Sequence, residues 1–325
     1  MFAASQAPRS LAKTTKPTTT TKVDLQMTTA QNGILLPLPP VARYLCFSLE
    51  PGMPSDDCRQ TLAALSALSD LADGERTVVG FGRTLVSALG AEIPGLRSFP
   101  ALAGRGVALP ATPSALWVWL RGDDRGEIVH RARRIEQALA PAFGLDETHD
   151  AFMHDGGRDL SGYEDGTENP TGDDATRTAI VGPEQPGLSG SSFVAVQRWA
   201  HDFARFEMMP AAEQDLTIGR RRVDNQEIDD APESAHVKRT AQESFTPEAF
   251  VLRRSMPWAE GRRCGLMFVA FATSFDPFEA QLRRMVGIED GIVDALFKFT
   301  RPLSGAYFWC PAMADGRLDL SPLAI

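Results

Sequence analysis

The sequence predicts an α+β fold made of two successive modules, each an antiparallel β-sheet with helices on one face, and three observations carry that prediction. Strand-like and helix-like segments alternate in an order that occurs twice along the chain. The strand-like segments are not linked by the uniform crossovers of a parallel sheet. A long polar stretch at residues 155–190, rich in Gly, Asp, Pro and Ser, separates the two occurrences. With 325 residues, 43% of them hydrophobic and 23% charged, the chain has the composition of an ordinary globular protein and the length for about two domains.

Residues 1–30 stand apart: they are Thr-rich, basic and almost free of acid, which predicts a disordered tail, or an over-long start ahead of Met27. A first module follows over 31–155. Arg43 to Leu49 alternates as a strand, and Asp56 to Leu71 carries Leu62, Leu65, Leu68 and Leu71 at helical spacing. Thr77 to Phe81 and Leu116 to Arg121 read as strands, and Gly126 to Phe143 returns to a helix with Ile128, Ala132, Ile135 and Leu139 on one stripe. The second module, taken as 156–325 with the linker included, begins its regular structure with a strand at Ser192 to Trp199 and a helix at Ala204 to Ile218. Strands at Phe250 to Arg254 and Gly265 to Phe275 precede a helix at Asp276 to Val286. A structureless connection as long as 155–190 is uncommon unless functional or disordered, so the chemistry is expected there.

Composition removes several function classes. A formal charge of −9 repels phosphate backbones, so nucleic acid is not an expected partner. No apolar run reaches the roughly 18 residues of a membrane helix. The cysteines Cys46, Cys58, Cys264 and Cys310 are scattered without a CxxC pair, which points to a reducing compartment. With no secretory pattern ahead of the first strand and little chain beyond the last, the expectation is a cytoplasmic protein without an appended targeting peptide.

Within the linker, Gly162-Tyr163-Glu164-Asp165-Gly166-Thr167-Glu168-Asn169-Pro170 sets glycines around a carboxylate, a pattern that permits tight backbone and close approach of a bulky ligand. By itself it reads as a surface turn. The DGT piece is similar to the nucleophile loop of haloacid-dehalogenase-like phosphatases, but that loop needs a second Asp where this chain has Tyr163. His149-Asp150 and His154-Asp155 form another candidate constellation, yet a five-residue spacing does not align two histidines on one helix face, and ordinary polar positions are the simpler reading.

The whole nonapeptide resembles the GxxDGTENP signature of dye-decolourising-type haem peroxidases, in the form of their bacterial class B branch. Downstream, Ala235-His236-Val237-Lys238 resembles that family's proximal histidine segment, and Val251-Leu252-Arg253-Arg254-Ser255-Met256-Pro257 its distal arginine strand. Ile218-Gly219-Arg220 is similar to the segment whose arginine pairs with a haem propionate, and Phe299 to Gly305 with Tyr307-Phe308-Trp309 to its closing strand. The resemblance runs from about residue 31 to the end and implies tandem ferredoxin-like modules of the dimeric α+β barrel type, a homo-oligomer, and one haem b per chain. It implies His236 as axial iron ligand, Asp165 and Arg253 as catalytic residues, and Arg220, Arg253, Gly166, Thr167 and Ser255 around the cofactor. Neighbours on a strand face opposite sides, so only one of Arg253 and Arg254 enters the pocket, and Ser255 shares the face of Arg253; the family commonly has Asn at the position of Ser255.

The implied reaction is heterolytic cleavage of hydrogen peroxide followed by oxidation of phenols, dyes or other small one-electron donors. An Asp acting as the proton carrier, with an ordinary pKa near 4, implies an acidic optimum. A haem-handling protein, releasing haem iron or buffering haem on the same fold, is the alternative. Trp117 and Trp119 read as core, as do Tyr163, Tyr307 and Trp258, for which electron relay is the other reading.

Overall fold

The computed structural model describes Met1, residues 28–50 and residues 58–324. The first module's strands are β1 (Val41–Leu49), β2 (Thr77–Phe81), β3 (Leu116–Gly122) and β4 (Phe143–Phe152), with helices α1 (Cys58–Leu71) and α2 (Arg125–Leu139). After a linker helix, α3 (Gly172–Ala179), come β5 (Ser192–His201) and short helices α4 (Phe203–Glu207), α5 (Ala211–Ile218) and α6 (His236–Arg239). The chain continues through β6 (Leu252–Arg253), β7 (Met256–Glu260), β8 (Arg263–Ala272), helix α7 (Asp276–Met285), β9 (Thr300–Pro302) and β10 (Ala306–Cys310).

Each half arranges its strands in the ferredoxin-like order. The first gives β2-β3-β1-β4 and the second β10-β5-β8-β7, antiparallel throughout. The two sheets do not stand separately: β10 meets β2 at Trp309 and Phe81, and β4 meets β7 at Ala151 and Trp258. Because β5 also pairs with β8, the strands close into a barrel. Full closure leaves no unpaired edge in the ring.

The alternation of strand residues sorts the core into two layers. Tyr44, Trp117, Trp119, Phe271 and Phe308 point inward and fill the barrel, the rings of Tyr44 and Trp119 stacking at 6.2 Å. Leu45, Val118, Leu120 and Ala195 point outward, under α1, α2 and α7, where Leu65, Leu68, Ile128, Ile135 and Leu282 close over them. Asp124 caps α2, its carboxylate accepting from the Glu127 N–H at 2.9 Å.

Several expectations shift in detail. The helix expected over Ala204 to Ile218 is split, because Pro210 lacks an N–H and interrupts the intrahelical ladder. The helix expected to reach Phe143 ends at Leu139, and Phe143 begins β4. The polar β4, FGLDETHDAF, has no apolar alternation; it is a strand because it pairs with β1 along its length. The linker is less irregular than expected, since it holds α3. At the tail boundary, Thr29 is bridged to Met313, the two exchanging N–H···O bonds at 2.9 and 2.7 Å. The rest of the expected tail, residues 2–27, and the expected helix start at Asp56 lie outside the described residues. Among the described residues no helix is long and apolar enough to cross a membrane.

Candidate functional site

On the outer face of the second half the helices stand off the sheet, and the space beneath them is a cavity of about 860 Å³, its open mouth included. Its walls are largely apolar, with Leu266 and Phe268 from β8, Phe278 and Leu282 from α7, and Leu296 and Phe299 from the segment before β9. A second chamber of about 790 Å³ shares Asp165, His236 and Arg253 with it and reaches Gly166, Thr167 and Arg220. Concave apolar space with a few convergent polar groups is the form of a cofactor site.

The nonapeptide forms one wall. Gly162 and Gly166 have φ of 89° and 82°, and a side-chain carbon on Gly166 would fall 2.7 Å from Asn169 Nδ2, so the turn that presents Asp165 requires glycine there. Asn169 ties this loop to the strand opposite: its Nδ2 donates to the Arg253 carbonyl at 3.0 Å and its Oδ1 accepts the Arg253 N–H at 2.8 Å. The Arg253 guanidinium consequently lies 3.6 Å from the Asp165 carboxylate, and its Nε is buried without a partner. Thr167 is held by Asn225, whose Nδ2 donates to its hydroxyl at 2.9 Å.

Strand alternation separates the two arginines as expected. Arg253 lines the cavity, whereas Arg254 turns to the other side and donates to the carbonyls of Ile34 and Leu35. Burial and the nearby Arg121 lower the Arg254 pKa to about 10. Ser255 is buried and does not reach the cavity lining of either chamber; its hydroxyl accepts the Val269 N–H at 3.4 Å. A side chain that short is consumed by the backbone of the neighbouring strand.

His236 opens α6 and faces both chambers. Its Nδ1 donates to Asp294 Oδ2 at 2.7 Å, and Asp294, fully buried, uses its other oxygen to accept the Leu296 N–H at 2.8 Å. That pairing leaves Nε2 as the free ring nitrogen and fixes the ring, as a carboxylate does behind a metal-binding histidine. Asp294, which no motif in the sequence singles out, also caps the short helical turn Ala295–Lys298.

Arg220 reaches the second chamber already paired. It donates to Glu168 at 2.6 Å, Glu227 at 3.0 Å and the Asn225 carbonyl at 3.1 Å. On the first chamber's wall, His201 Nε2 meets Asp159 at 3.0 Å and Nδ1 meets Thr300 at 2.7 Å, while Ser161 donates to the same Asp159. Burial pushes the Asp159 carboxyl up, but the bond and charge of His201 and the bonds from Ser161 outweigh it and hold the group below the usual carboxylate range. Tyr163, Tyr307 and Trp258 are buried, with Tyr163 donating to Asp215 at 2.5 Å and Trp258 Nε1 to the Trp199 carbonyl at 2.9 Å.

In the other constellation, two members have partners within the fold. His149 pairs with Glu147 and Arg198, and Asp150 is taken up by Arg43 and Arg125. Among the described residues no cluster of three or more His, Cys, Asp or Glu is placed to hold a bare metal ion.

Comparison with known proteins identifies the relatives of this chain. The family profile described as Dyp-type peroxidase, C-terminal, matches residues 156–315, the part that carries both chambers. The dye-decolorizing peroxidase of Rhodococcus erythropolis is 31% identical over 293 residues, covering 86% of this chain and 85% of that one. That of Mycobacterium tuberculosis is 32% identical over 225 residues, 67% of each chain. Among solved structures, a Dyp-type peroxidase from Shewanella oneidensis superposes with a TM-score of 0.79 at 30% identity, covering 91% of this chain and 98% of that one. A variant of DypB from Rhodococcus jostii, solved in complex with haem, gives 0.76 at 26% identity over 86% and 94%. With that identity spread over both modules, the chain belongs to the dye-decolorizing peroxidase family.

Proposed function

We propose that this chain is a haem peroxidase in which His236 would hold the iron of haem b, Asp165 would move the peroxide proton and Arg253 would hold the charge that develops as the O–O bond breaks. Haem peroxidase activity is what the family supports; the residue roles rest on one observation, the convergence of Asp165, Arg253 and a carboxylate-backed His236 on a single apolar cavity.

The residues fit the cofactor. Apolar walls suit a flat macrocycle, the free Nε2 of His236 is a ligand of the right kind, and the buried unpartnered Nε of Arg253 calls for an acceptor. Bound there, haem supplies the iron at which hydrogen peroxide is split and the oxidising capacity that one-electron donors consume. Asp165 takes the proton from the nearer peroxide oxygen and returns it to the farther one, so that water is the leaving group. Arg253, fixed through its backbone by Asn169, presents a cation that needs no reorganisation when the charge appears. Asp294 holds the His236 ring in orientation and keeps its proton on Nδ1.

Arg220 binds a propionate by exchanging Glu168 and Glu227 for it, a bidentate role suited to guanidinium. Gly166 and Thr167 bring main chain to the cofactor's edge. The reductants are phenols, dyes or similar small donors. The protein is read as a cytoplasmic homo-oligomer, which light scattering and cell fractionation test.

The deciding experiment is the absorption spectrum of hemin-reconstituted protein beside His236→Ala and Asp165→Ala, before and after peroxide. A Soret band that depends on His236 and a peroxide-induced change that depends on Asp165 are the expected result. Haem binding with an identical peroxide response in wild type and Asp165→Ala favours haem handling instead.

A further inference from the structure

The segment that presents Asp165 is fastened to the barrel at two points, one on each side of it. Four residues downstream, Asn169 is tied to the backbone of Arg253 on β6. Six residues upstream lies Asp159, whose carboxylate is met by His201, the last residue of β5.

Asp159 is the corner of a tight loop. Its N–H donates to the Tyr163 carbonyl at 2.9 Å, its carbonyl accepts the Gly162 N–H at 2.8 Å, and Arg158 bridges antiparallel to Glu164, the residue before Asp165. Asp159 Oδ2 accepts the Ser161 N–H at 2.8 Å and the Ser161 hydroxyl at 2.5 Å, which leaves Oδ1 for Nε2 of His201 at 3.0 Å. The direction in which the loop leaves this corner sets where Asp165 arrives.

His201 is a rigid support. Thr300, its cross-strand neighbour on β9, puts its hydroxyl 2.7 Å from Nδ1, and Phe203 and Phe299 stand against the ring with centroids 5.7 Å away. The side chains of His201 and Asp159 are only 5% and 13% exposed, so their bond forms out of water, where it is stronger. Other ties of the loop are of a different kind. Tyr163 bonds Asp215, Glu164 bonds Asn225 and Arg158 bonds the Arg222 carbonyl, partners that lie on the short helix α5 or the connection after it rather than on the sheet.

We propose that His201 is a positioning residue for the peroxide step, anchoring the Asp159 corner to the barrel sheet so that Asp165 stays opposite Arg253. This role rests on the peroxidase reading above, in which Asp165 moves the peroxide proton. Asp165 and Arg253 lie 3.6 Å apart although they come from different segments, and a reacting group misplaced by about 1 Å loses on the order of 100-fold in rate. With Asn169 alone the loop could pivot about its exit; His201 removes that freedom at its entry.

The test compares wild type with His201→Phe, which fills the space of the ring without a donor, and His201→Gln, whose amide N–H reaches Asp159 again. Two quantities are read on the haem-loaded proteins: the second-order rate constants for peroxide and for 2-methoxyphenol as donor, and amide hydrogen exchange of the peptide covering 159–169. The expected result for His201→Phe is a peroxide constant lowered about 100-fold, the donor constant and the Soret band unchanged, and faster exchange in that peptide. His201→Gln recovers most of the peroxide constant. Thr300→Val, a milder change that loosens the ring without removing it, lowers the same constant to a smaller extent and decides the question should His201→Phe fail to fold. An unchanged peroxide constant, a fall of the same size in His201→Phe and His201→Gln, or a joint fall of the peroxide and donor constants overturns the proposal. If Asp165→Ala reacts with peroxide as fast as wild type, the reading of Asp165 fails, while the exchange measurement still decides whether His201 anchors the loop.

Discussion

The two halves of the barrel share one strand order, yet the largely apolar cavity lined by Asp165, His236 and Arg253 is built on the second, and the difference lies in what covers the sheet. In the first half α1 and α2 lie directly on it, and Leu65, Leu68, Ala132, Ile135 and Leu139 fill the interface with no accessible surface. In the second half only α7 packs in that manner; the place of the other helix is taken by α4, α5, α6 and their connections. Short pieces cannot lay a continuous apolar stripe on a sheet, so space is left and Asp165, His236 and Arg253 are brought to it. The same topology therefore serves as scaffold on one side and as site on the other.

Substitutions on the two sides should separate accordingly. The largest effect is expected from Asp165→Ala, which should lower kcat with peroxide by about 100- to 10,000-fold, the range for loss of a general acid–base group, while the Soret band persists. Stopped-flow mixing with peroxide measures it, and a fall under tenfold removes Asp165 from the proton path. Next, Asp294→Asn should weaken haem affinity or activity by about 10- to 100-fold, as for other partners of metal-bound histidines, read by hemin titration.

On the scaffold side, Leu68→Ala should cost about 2–5 kcal/mol of unfolding free energy and leave kcat per bound haem unchanged. Chemical denaturation beside kinetics distinguishes the two, and altered turnover would mean that the halves are coupled. The smallest effect is expected from Asp159→Asn, a loss of stability near neutral pH that vanishes in acid. A carboxyl whose pKa is lowered by folding stabilises above its unfolded value of about 3.9, and that contribution disappears as pH falls through the folded value. Wild-type melting temperature should thus drop more steeply below about pH 4 than that of Asp159→Asn, measured by thermal melts across pH 3 to 7; parallel curves would mean that the His201 pair does not form.

Much of this was legible along the chain. Local patterns carry strands whose residues are apolar on both faces, such as β3 with Leu116 to Leu120, because the hydrophobic signal needs no partner to be read. Motif glycines carry the turn at Asp165, because their positive φ is a local demand. Strand parity alone separates Arg253 from Arg254, since period two is a property of the backbone itself. By contrast β4 was unnamed, as its charged residues become a strand only beside β1.

The sequence by itself determined the α+β character and the duplicated strand order, consequences of local periodicity and backbone preference, while the candidate site residues were legible only through their resemblance to a known family's motifs. Only the tertiary structure decided that two sheets would close into one barrel through Trp309–Phe81 and Ala151–Trp258. It alone decided that Asn169 would hold Arg253, that Asp294 would back His236, and that Ser255 would be spent on Val269 rather than reach the cavity. Those pairings join residues 14 to 84 positions apart, and a contact across such a distance has no signature in the chain until packing sets its two ends side by side.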